Sequence, residues 1–279
     1  MIQDHVYTLS TAVSWPESLL ALLFGLLIGS FLNVCIHRWP RGRSVVRPRS
    51  HCVRCRKMIA WYDNIPVLSF LLLRGRCRHC GKRISLRYPA VELLTGGVFL
   101  YFVQTLGPTL AAAKMCVLGA ILIALVFSDL EKRILPDELT LGGALIGIAF
   151  AVFVPLQDDT SLGLFWMIGL NLTGRILWLS QAAIGALLPA FFLWSGGWIY
   201  LKVRHREGLG LGDVKLMVLV GAFLGLQLTL TTLLVGSLAG SVISMLYVWI
   251  AKKDAATYQL PFGTFLGLAA LVIAMAGRV

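Results

Sequence analysis

Two groups of residues in this 279-residue sequence have the types and spacing to do chemistry. The first is sulfur. Cys52-x-x-Cys55 and Cys77-x-x-Cys80 are two pairs with the spacing of a four-cysteine zinc site. A gap of two residues lets both sulfurs of a pair reach one ion, and two pairs complete a tetrahedral thiolate shell with arms of about 2.3 Å. Such a shell leaves no open coordination position, so the metal would hold the fold rather than react. Surrounding Lys and Arg residues would lower the thiol pKa values and offset the thiolate charge. Two disulfides are the competing reading. Cys35 and Cys116 lie in apolar runs and read as small core residues.

The second group is carboxylate. Acids at the edges of apolar segments are rare and expensive, so each is a functional candidate. Glu92, Asp129, Glu131, Asp137, Glu138, Glu207 and Asp213 are of this kind. Asp129 closes an apolar run, and Asp213 opens another inside Gly208-Leu209-Gly210-Leu211-Gly212-Asp213-Val214-Lys215. Short connections return the chain to one face between them, so the two can meet. Two carboxyls a few ångströms apart cannot both ionise, and the pair then offers a base and an acid together. That is enough to activate water against a peptide carbonyl. Gly208, Gly210 and Gly212 have no Cβ to obstruct an extended backbone approaching Asp213. The plainer readings are a helix N-cap for Asp213 and a solvated interfacial acid for Asp129. Asp137, after Pro136 at a helix start, reads as mainly structural. Glu131 and Glu138 read as surface charges. Lys215 either adjusts the charge on Asp213 or is a solvated lysine.

These residues have to be positioned by membrane helices. The chain is 58% hydrophobic and 14% charged, where soluble domains sit near half apolar and a quarter charged. Hydropathy places spans at about 17–36, 90–106, 110–128, 138–156, 181–201, 214–226, 229–250 and 260–277. The expected fold is an all-α polytopic membrane protein of about eight transmembrane helices, with a small cytoplasmic four-cysteine zinc domain inserted after the first helix.

Charge sets the direction. The net charge is +12, and from Arg38 to Arg87 the many Lys and Arg residues face a single acid, Asp63. Basic loops stay in the cytoplasm, which puts the cysteines in a reducing compartment and favours zinc over disulfides. The same charge favours contact with anionic lipid. The apolar stretch within 157–180 carries Asn171 and Arg175. Were it to cross, Lys202, Arg204, His205 and Arg206 would fall outside, so it is expected to be interfacial or re-entrant. Lys252-Lys253 then lies inside and both termini outside. Residues 1–16 lack the basic segment of a secretory signal. The expected partition is an outer N-terminus and first helix over 1–36, a basic zinc domain over 37–89, and a membrane core over 90–279.

Ordered motifs run through nearly the whole chain. Gly29-Ser30-Phe31-Leu32-Asn33-Val34 is followed by Trp61-Tyr62-Asp63-Asn64-Ile65-Pro66 between the cysteine pairs, then by Arg74-Gly75-Arg76-Cys77, Ser85-Leu86-Arg87-Tyr88-Pro89 and Val91-Glu92-Leu93-Leu94-Thr95. Asp129 through Leu135-Pro136-Asp137 and Gly210-Leu211-Gly212-Asp213 with Lys215 complete the series. In these motifs the sequence resembles the type IV prepilin peptidases, bifunctional leader peptidase/N-methyltransferases of bacterial inner membranes. The resemblance implies that Asp129 and Asp213 are the aspartyl pair that cuts a short basic leader after a glycine. It implies that the cysteine insert belongs with a second activity, S-adenosylmethionine-dependent methylation of the freed N-terminal amine. Substrates would be prepilins or the pilin-like subunits of type II secretion systems. Phe165–Leu179 looks like extra length relative to the family pattern.

The common methyltransferase fold has a glycine-rich strand–turn–helix signature, and none is visible here, so the cofactor site would be unusual. Gly75, Asn33 and Glu92 are its candidates, Gly75 for close backbone approach and Glu92 for the substrate's ammonium. Their plainer readings are a turn glycine, interhelical hydrogen-bond glue and an acid stabilising a helix start. Three alternatives stand beside this reading. A peptidase without methylation is one. A proton-coupled transporter would place acids deep in the bilayer and show inverted repeats, whereas these acids cluster at one face. A membrane-tethered zinc-ribbon scaffold or nucleic-acid binder would leave Asp129 and Asp213 without a role. Nucleic-acid binding would also need stacking side chains among the basic groups, for which Trp61 and Tyr62 are the candidates between the cysteine pairs, and nucleic acid is not expected as a partner.

Overall fold

The computed structural model describes residues 13–205, 208–251 and 261–277. Glu207, Arg206, Lys252-Lys253 and both chain ends, which enter the topological expectations, lie outside the described residues. Among the described residues the secondary structure is helical, with two isolated β-bridges, His51 with Met58 and Arg76 with Arg83. The α-helices are α1 (Trp15–Arg38), α2 (Leu68–Leu72), α3 (Arg87–Leu106), α4 (Leu110–Lys132), α5 (Asp137–Ala151), α6 (Asp159–Met167), α7 (Gly174–Arg204), α8 (Leu211–Ala251) and α9 (Phe262–Ala276).

Five of them, α1, α3, α4, α7 and α8, are long and apolar enough to cross a membrane. The chain is a multi-pass membrane protein. Its apolar exposure fits lipid: Leu20, Phe24 and Leu27 on α1, Leu187, Phe191 and Phe192 on α7, and Met245 and Trp249 on α8 all face outward. The count of long helices is lower than the eight spans expected from hydropathy, for two reasons. At 41 residues α8 runs through the ground of two expected spans and is broken at Gly225, whose φ of 78° is outside the helical region. The helices α5 and α9 have 15 residues each, about 22 Å at 1.5 Å per residue, short of a hydrocarbon core of about 30 Å.

The chain divides into two compact units. The first is the chain up to Arg38 with Gly42–Ala120. Here α1 and α3 pack closely because both present glycine. A Cβ on Gly25 would lie 2.8 Å from Gly96 Cα, and one on Gly29 would lie 2.7 Å from Glu92 Cα. Small residues four apart allow this backbone approach in membrane helices. Between α1 and α3 lies the loop that carries the four cysteines.

The second unit is Trp39–Arg41 with the chain from Ile121 onward. In it α8 packs against α5, α7 and α9. The nine residues of α6 are too few to cross, and α7 begins at Gly174, earlier than the expected 181. Asp158, buried at 1% exposure, holds this region. Its carboxylate accepts the amides of Leu226 at 2.6 Å, Gln227 at 3.3 Å and Ser161 at 3.3 Å. It thus caps α6 and also the second arm of α8, whose first amides the break at Gly225 leaves without carbonyl partners. Gly225 is suited to the position twice over: its φ is positive, and a Cβ there would meet Asp158 Oδ2 at 2.8 Å.

Candidate functional site

The acid pair is assembled in the second unit from three helix ends. Asp129 lies in the last turn of α4, Asp213 in the first turn of α8, and Gly263 and Thr264 in the first turn of α9. A Cβ built on Gly263 would stand 3.1 Å from Asp213 Oδ1 and 3.3 Å from Asp129 Oδ2. The two carboxylate oxygens are therefore no farther apart than those distances laid end to end. Asp129 is 5% exposed and Asp213 is half-buried.

Their surroundings differ. The Thr264 backbone N–H and Oγ1–H both donate to Asp129 Oδ2, each at 2.7 Å. The amide is one of the orphan donors of the α9 start, directed at a carboxyl oxygen. Among the described residues no donor reaches the Asp213 carboxyl. Sequence reasoning misses Gly263 and Thr264. Pro261-Phe262-Gly263-Thr264 reads as an ordinary helix start, and the one available signal is a proline–glycine–threonine helix start on the same predicted face as both aspartates.

The flanking motif residues have definite places. Lys215 Nζ reaches both oxygens of Asp137, at 2.7 and 2.9 Å. It pairs with Asp137 rather than with Asp213, and so ties the starts of α5 and α8. Asp137 is the first residue of α5, after Pro136. A Cβ on Gly212 would meet Leu135 Cβ at 3.4 Å, and one on Gly208 would meet the Tyr200 ring at 2.5 Å. These two glycines thus make room for the protein's own side chains. Gly210 is the open one, with Asp213 Oδ2 at 3.5 Å from its Cβ position.

In the first unit the four cysteine sulfurs lie within 4.8 Å of one another, and Cys52 Sγ is 4.0 Å from Cys80 Sγ. A tetrahedron with arms of about 2.3 Å has edges of about 3.8 Å, so the cluster fits a zinc ion with slight contraction. None of the four is disulfide-bonded. The two knuckles are built alike. Cys52 N–H donates to Lys57 O and Arg56 N–H to Cys52 O, as Cys77 N–H does to Lys82 O and Gly81 N–H to Cys77 O, all at 2.9 Å. The residue after each second cysteine, Arg56 or Gly81, has a positive φ. Without metal the Cys77 thiol is lowered to about 7, chiefly by the backbone amides of Cys80 and His79. The Cys80 thiol takes an amide from Lys82, which lowers it, but lost hydration and three neighbouring sulfurs outweigh this and raise it to about 11. Arg78 holds Asp63 with two bonds of 2.6 and 2.8 Å. It keeps that carboxyl below its usual range and pins the Trp61–Asn64 turn to the second knuckle.

The knuckles and the close ends of α1 and α3 enclose a cavity of about 380 Å³ lined by Asn33 and Glu92 among others. Gly75 is not in its wall. With φ +65° Gly75 closes a turn, and a Cβ there would press on the Phe70 ring at 3.0 Å, so it shapes the cavity through Phe70, which lines it. Asn33 Nδ2 donates to Gly29 O at 3.3 Å and Tyr88 O at 3.0 Å. Glu92 Oε2 accepts the Val67 N–H at 2.8 Å. Glu92 is the sixth residue of α3, past the first turn, so stabilising a helix start does not account for it.

Comparison with known proteins agrees with both units. Residues 23–106 match the bacterial peptidase A24 N-terminal domain, and residues 116–245 match the type IV leader peptidase family. The chain is 42% identical over 224 residues to a prepilin leader peptidase/N-methyltransferase of Myxococcus xanthus, a match that covers 80% of this chain and 61% of that protein. It is 34% identical over 294 residues to the protein of that name from Aeromonas salmonicida, covering 96% and 94%. With the Klebsiella pneumoniae protein of the same name it shares 38% identity over 245 residues, covering 85% and 99%. No solved structure matches. On these grounds the chain belongs to the type IV leader peptidase family.

Proposed function

We propose that this protein cleaves the leader of type IV prepilins and pilin-like secretion subunits at the cytoplasmic face of a bacterial inner membrane, and then methylates the new N-terminal amine. The observation that carries the cleavage is the convergence of Asp129 and Asp213 on Gly263. A leader joined to an apolar helix would present its junction at the membrane surface, where both aspartates end their helices. Asp129, with two donors on one oxygen, is arranged as the carboxylate that accepts a proton from water. Asp213 is then the acid that protonates the peptide carbonyl oxygen, and hydrolysis needs no covalent intermediate. Gly210 leaves open backbone beside Asp213, and Gly212, Lys215 and Asp137 hold the arrangement in place.

Methyl transfer is assigned to the first unit, with zinc held by Cys52, Cys55, Cys77 and Cys80 as its structural support. S-adenosylmethionine would supply the electrophilic methyl group in the cavity under the knuckles. Asn33 and Glu92 line that cavity and Gly75 sets its Phe70 wall. Three features favour this over a peptidase without methylation. These are the cavity itself, a buried Asn33 oxygen in it without a partner, and the names of the relatives. The basic loop would rest on anionic lipid, with both termini periplasmic.

The test is incubation of the purified protein with a prepilin in detergent, with and without S-adenosylmethionine, read by mass spectrometry. Asp129→Asn or Asp213→Asn is expected to abolish leader cleavage while the protein stays membrane-inserted and zinc-loaded. Normal processing by either variant ends the dyad assignment.

A further inference from the structure

The cavity of the first unit contains an uncommon feature, a buried acceptor left open. Asn33 is 3% exposed, and both its side-chain bonds use Nδ2. Its Oδ1 has no hydrogen-bond partner. Buried side-chain polar atoms nearly always have partners, and an exception calls for a cause such as a bound ligand. The second acceptor is Glu92, 8% exposed. It takes the Val67 amide at 2.8 Å, which leaves capacity on a group with about four lone-pair sites. Among the described residues no Lys, Arg or His forms an ion pair with Glu92. The rest of the cavity wall is largely basic, with Arg54, Lys57, Lys82 and Arg83 in it. Of the other charges there, Arg38 donates to the carbonyls of Ser44, Val45 and Pro48, and Arg78 pairs with Asp63.

The backbone is strained to make this arrangement. Val67 has φ +59° and ψ −49°, and Leu68 N–H closes onto Pro66 O around it. A β-branched residue in a γ-turn with positive φ is costly, and such strain tends to sit where a group must be held for function. What it secures here is the Val67 N–H on the Glu92 carboxylate. Glycine packing supplies the rest, since the α1–α3 approach at Gly29 brings Asn33, one turn further along α1, to the level of Glu92.

We propose that Glu92 and Asn33 Oδ1 form the seat of the substrate's primary amine, with Glu92 as its proton acceptor. This rests on the methyl-transfer half of the proposed function and adds the residues that prepare the nucleophile. A primary ammonium has N–H donors and no acceptor, which complements a pair of acceptors with no donor to spare. The seated ammonium gives one proton to the Glu92 carboxylate while Asn33 Oδ1 takes a second N–H and orients the nitrogen lone pair. The amine then forms its N–C bond with the donor's methyl carbon as the C–S bond breaks and that electron pair returns to sulfur. The product is a methylated ammonium, a neutral thioether and a protonated Glu92, which loses its proton to solvent.

Two measurements test this. The first is isothermal titration of the full-length, zinc-loaded protein, without methyl donor, with a short peptide bearing the mature pilin N-terminus. The free-amine peptide is expected to bind at least tenfold tighter than its acetylated form, and Glu92→Gln is expected to erase the difference. The second is the pH profile of methylation. Glu92→Gln should lose about a hundredfold or more at pH 7, the usual worth of a general base. It should regain about tenfold by pH 9 as the amine passes its own pKa of about 8, while the unaltered protein stays flat. A Glu92→Gln profile parallel to the unaltered one overturns the assignment, as does equal binding of the two peptides. If Glu92→Gln does not retain zinc, the peptide comparison on the unaltered protein decides alone. A protein that cuts prepilin yet never methylates it ends the methyl-transfer reading itself. One that methylates while binding both peptides alike ends only the amine seat.

Discussion

Thr264 places two hydrogen bonds, one from its backbone and one from its hydroxyl, on the same oxygen of Asp129, each 2.7 Å long. Helix α9 thereby contributes to the acid pair without supplying a titratable group. A bond to a charged acceptor is worth about 1.5–3 kcal/mol. Thr264→Val, which keeps the shape and loses the hydroxyl, should lower kcat for leader cleavage roughly ten- to hundredfold, and Thr264→Ser should recover most of it. Full activity in Thr264→Val with a loss in Thr264→Ser would mean that the methyl group, not the hydroxyl, is what the site needs.

Gly263 gives a second, independent handle. A methyl there would press on Leu135 Cδ1 at 2.9 Å and stand within 3.3 Å of both aspartates. In a helix, alanine is intrinsically better than glycine by about 1 kcal/mol, so helix formation does not suffer. Gly263→Ala is expected to express and insert normally while cleaving at least a hundredfold more slowly, the new methyl occupying space where water and the scissile carbonyl must fit. Retained cleavage with a normal KM would place the reacting atoms elsewhere.

The ion pair of Lys215 with Asp137 is expected to matter less than its place beside Asp213 implies. Both side chains are partly open, at 33% and 58% exposure, and pairs of that kind contribute about 0–1 kcal/mol. Lys215→Ala should therefore reduce cleavage no more than about fivefold. A loss beyond a hundredfold would show that Lys215 acts on the Asp213 carboxyl directly.

Local spacing makes part of this architecture legible in the amino-acid sequence. The two Cys-x-x-Cys pairs each close a turn of their own, so sequence distance reports spatial distance. The aspartates lie at the ends of apolar runs, where hydropathy locates them. Residues that act across the fold escape the same reading. Thr264 reaches Asp129 only because α9 packs beside α8, which no periodicity within α9 encodes. Asp158 sits in a segment with mixed signals, and its amide partners lie beyond a helix break that hydropathy treats as a gap between two spans. Gly75 reads as an open approach, but the Phe70 ring occupies the space beside it. Lys215, two residues from Asp213, turns instead to an acid at the start of another helix.

Zinc removal should separate the two activities. The purified protein is expected to hold one zinc per chain by elemental analysis, and a strong chelator to release it with four thiols becoming reactive. Without metal the knuckles that wall the cavity lose their common centre, because a structural zinc contributes folding energy directly. Methylation should then fall to background while leader cleavage persists. Zero zinc with four free thiols in the native protein would exclude the four-cysteine site.

Asp158 carries the sharpest prediction about stability. Three backbone amides, of Ser161, Leu226 and Gln227, end on its carboxylate, and its backbone oxygen receives the Gln181 side chain at 3.1 Å. In a site that is 1% exposed, water cannot take over those donors. Each buried donor left unmet costs about 1–3 kcal/mol, so Asp158→Ala should lose several kcal/mol, enough to depress yield and thermal stability in detergent. Asp158→Asn keeps one acceptor oxygen and should fall between the two. The helix arm that Asp158 caps packs against α9, so surviving Asp158→Ala protein should also cleave poorly. Wild-type stability in Asp158→Ala would show that the second arm of α8 begins without this cap.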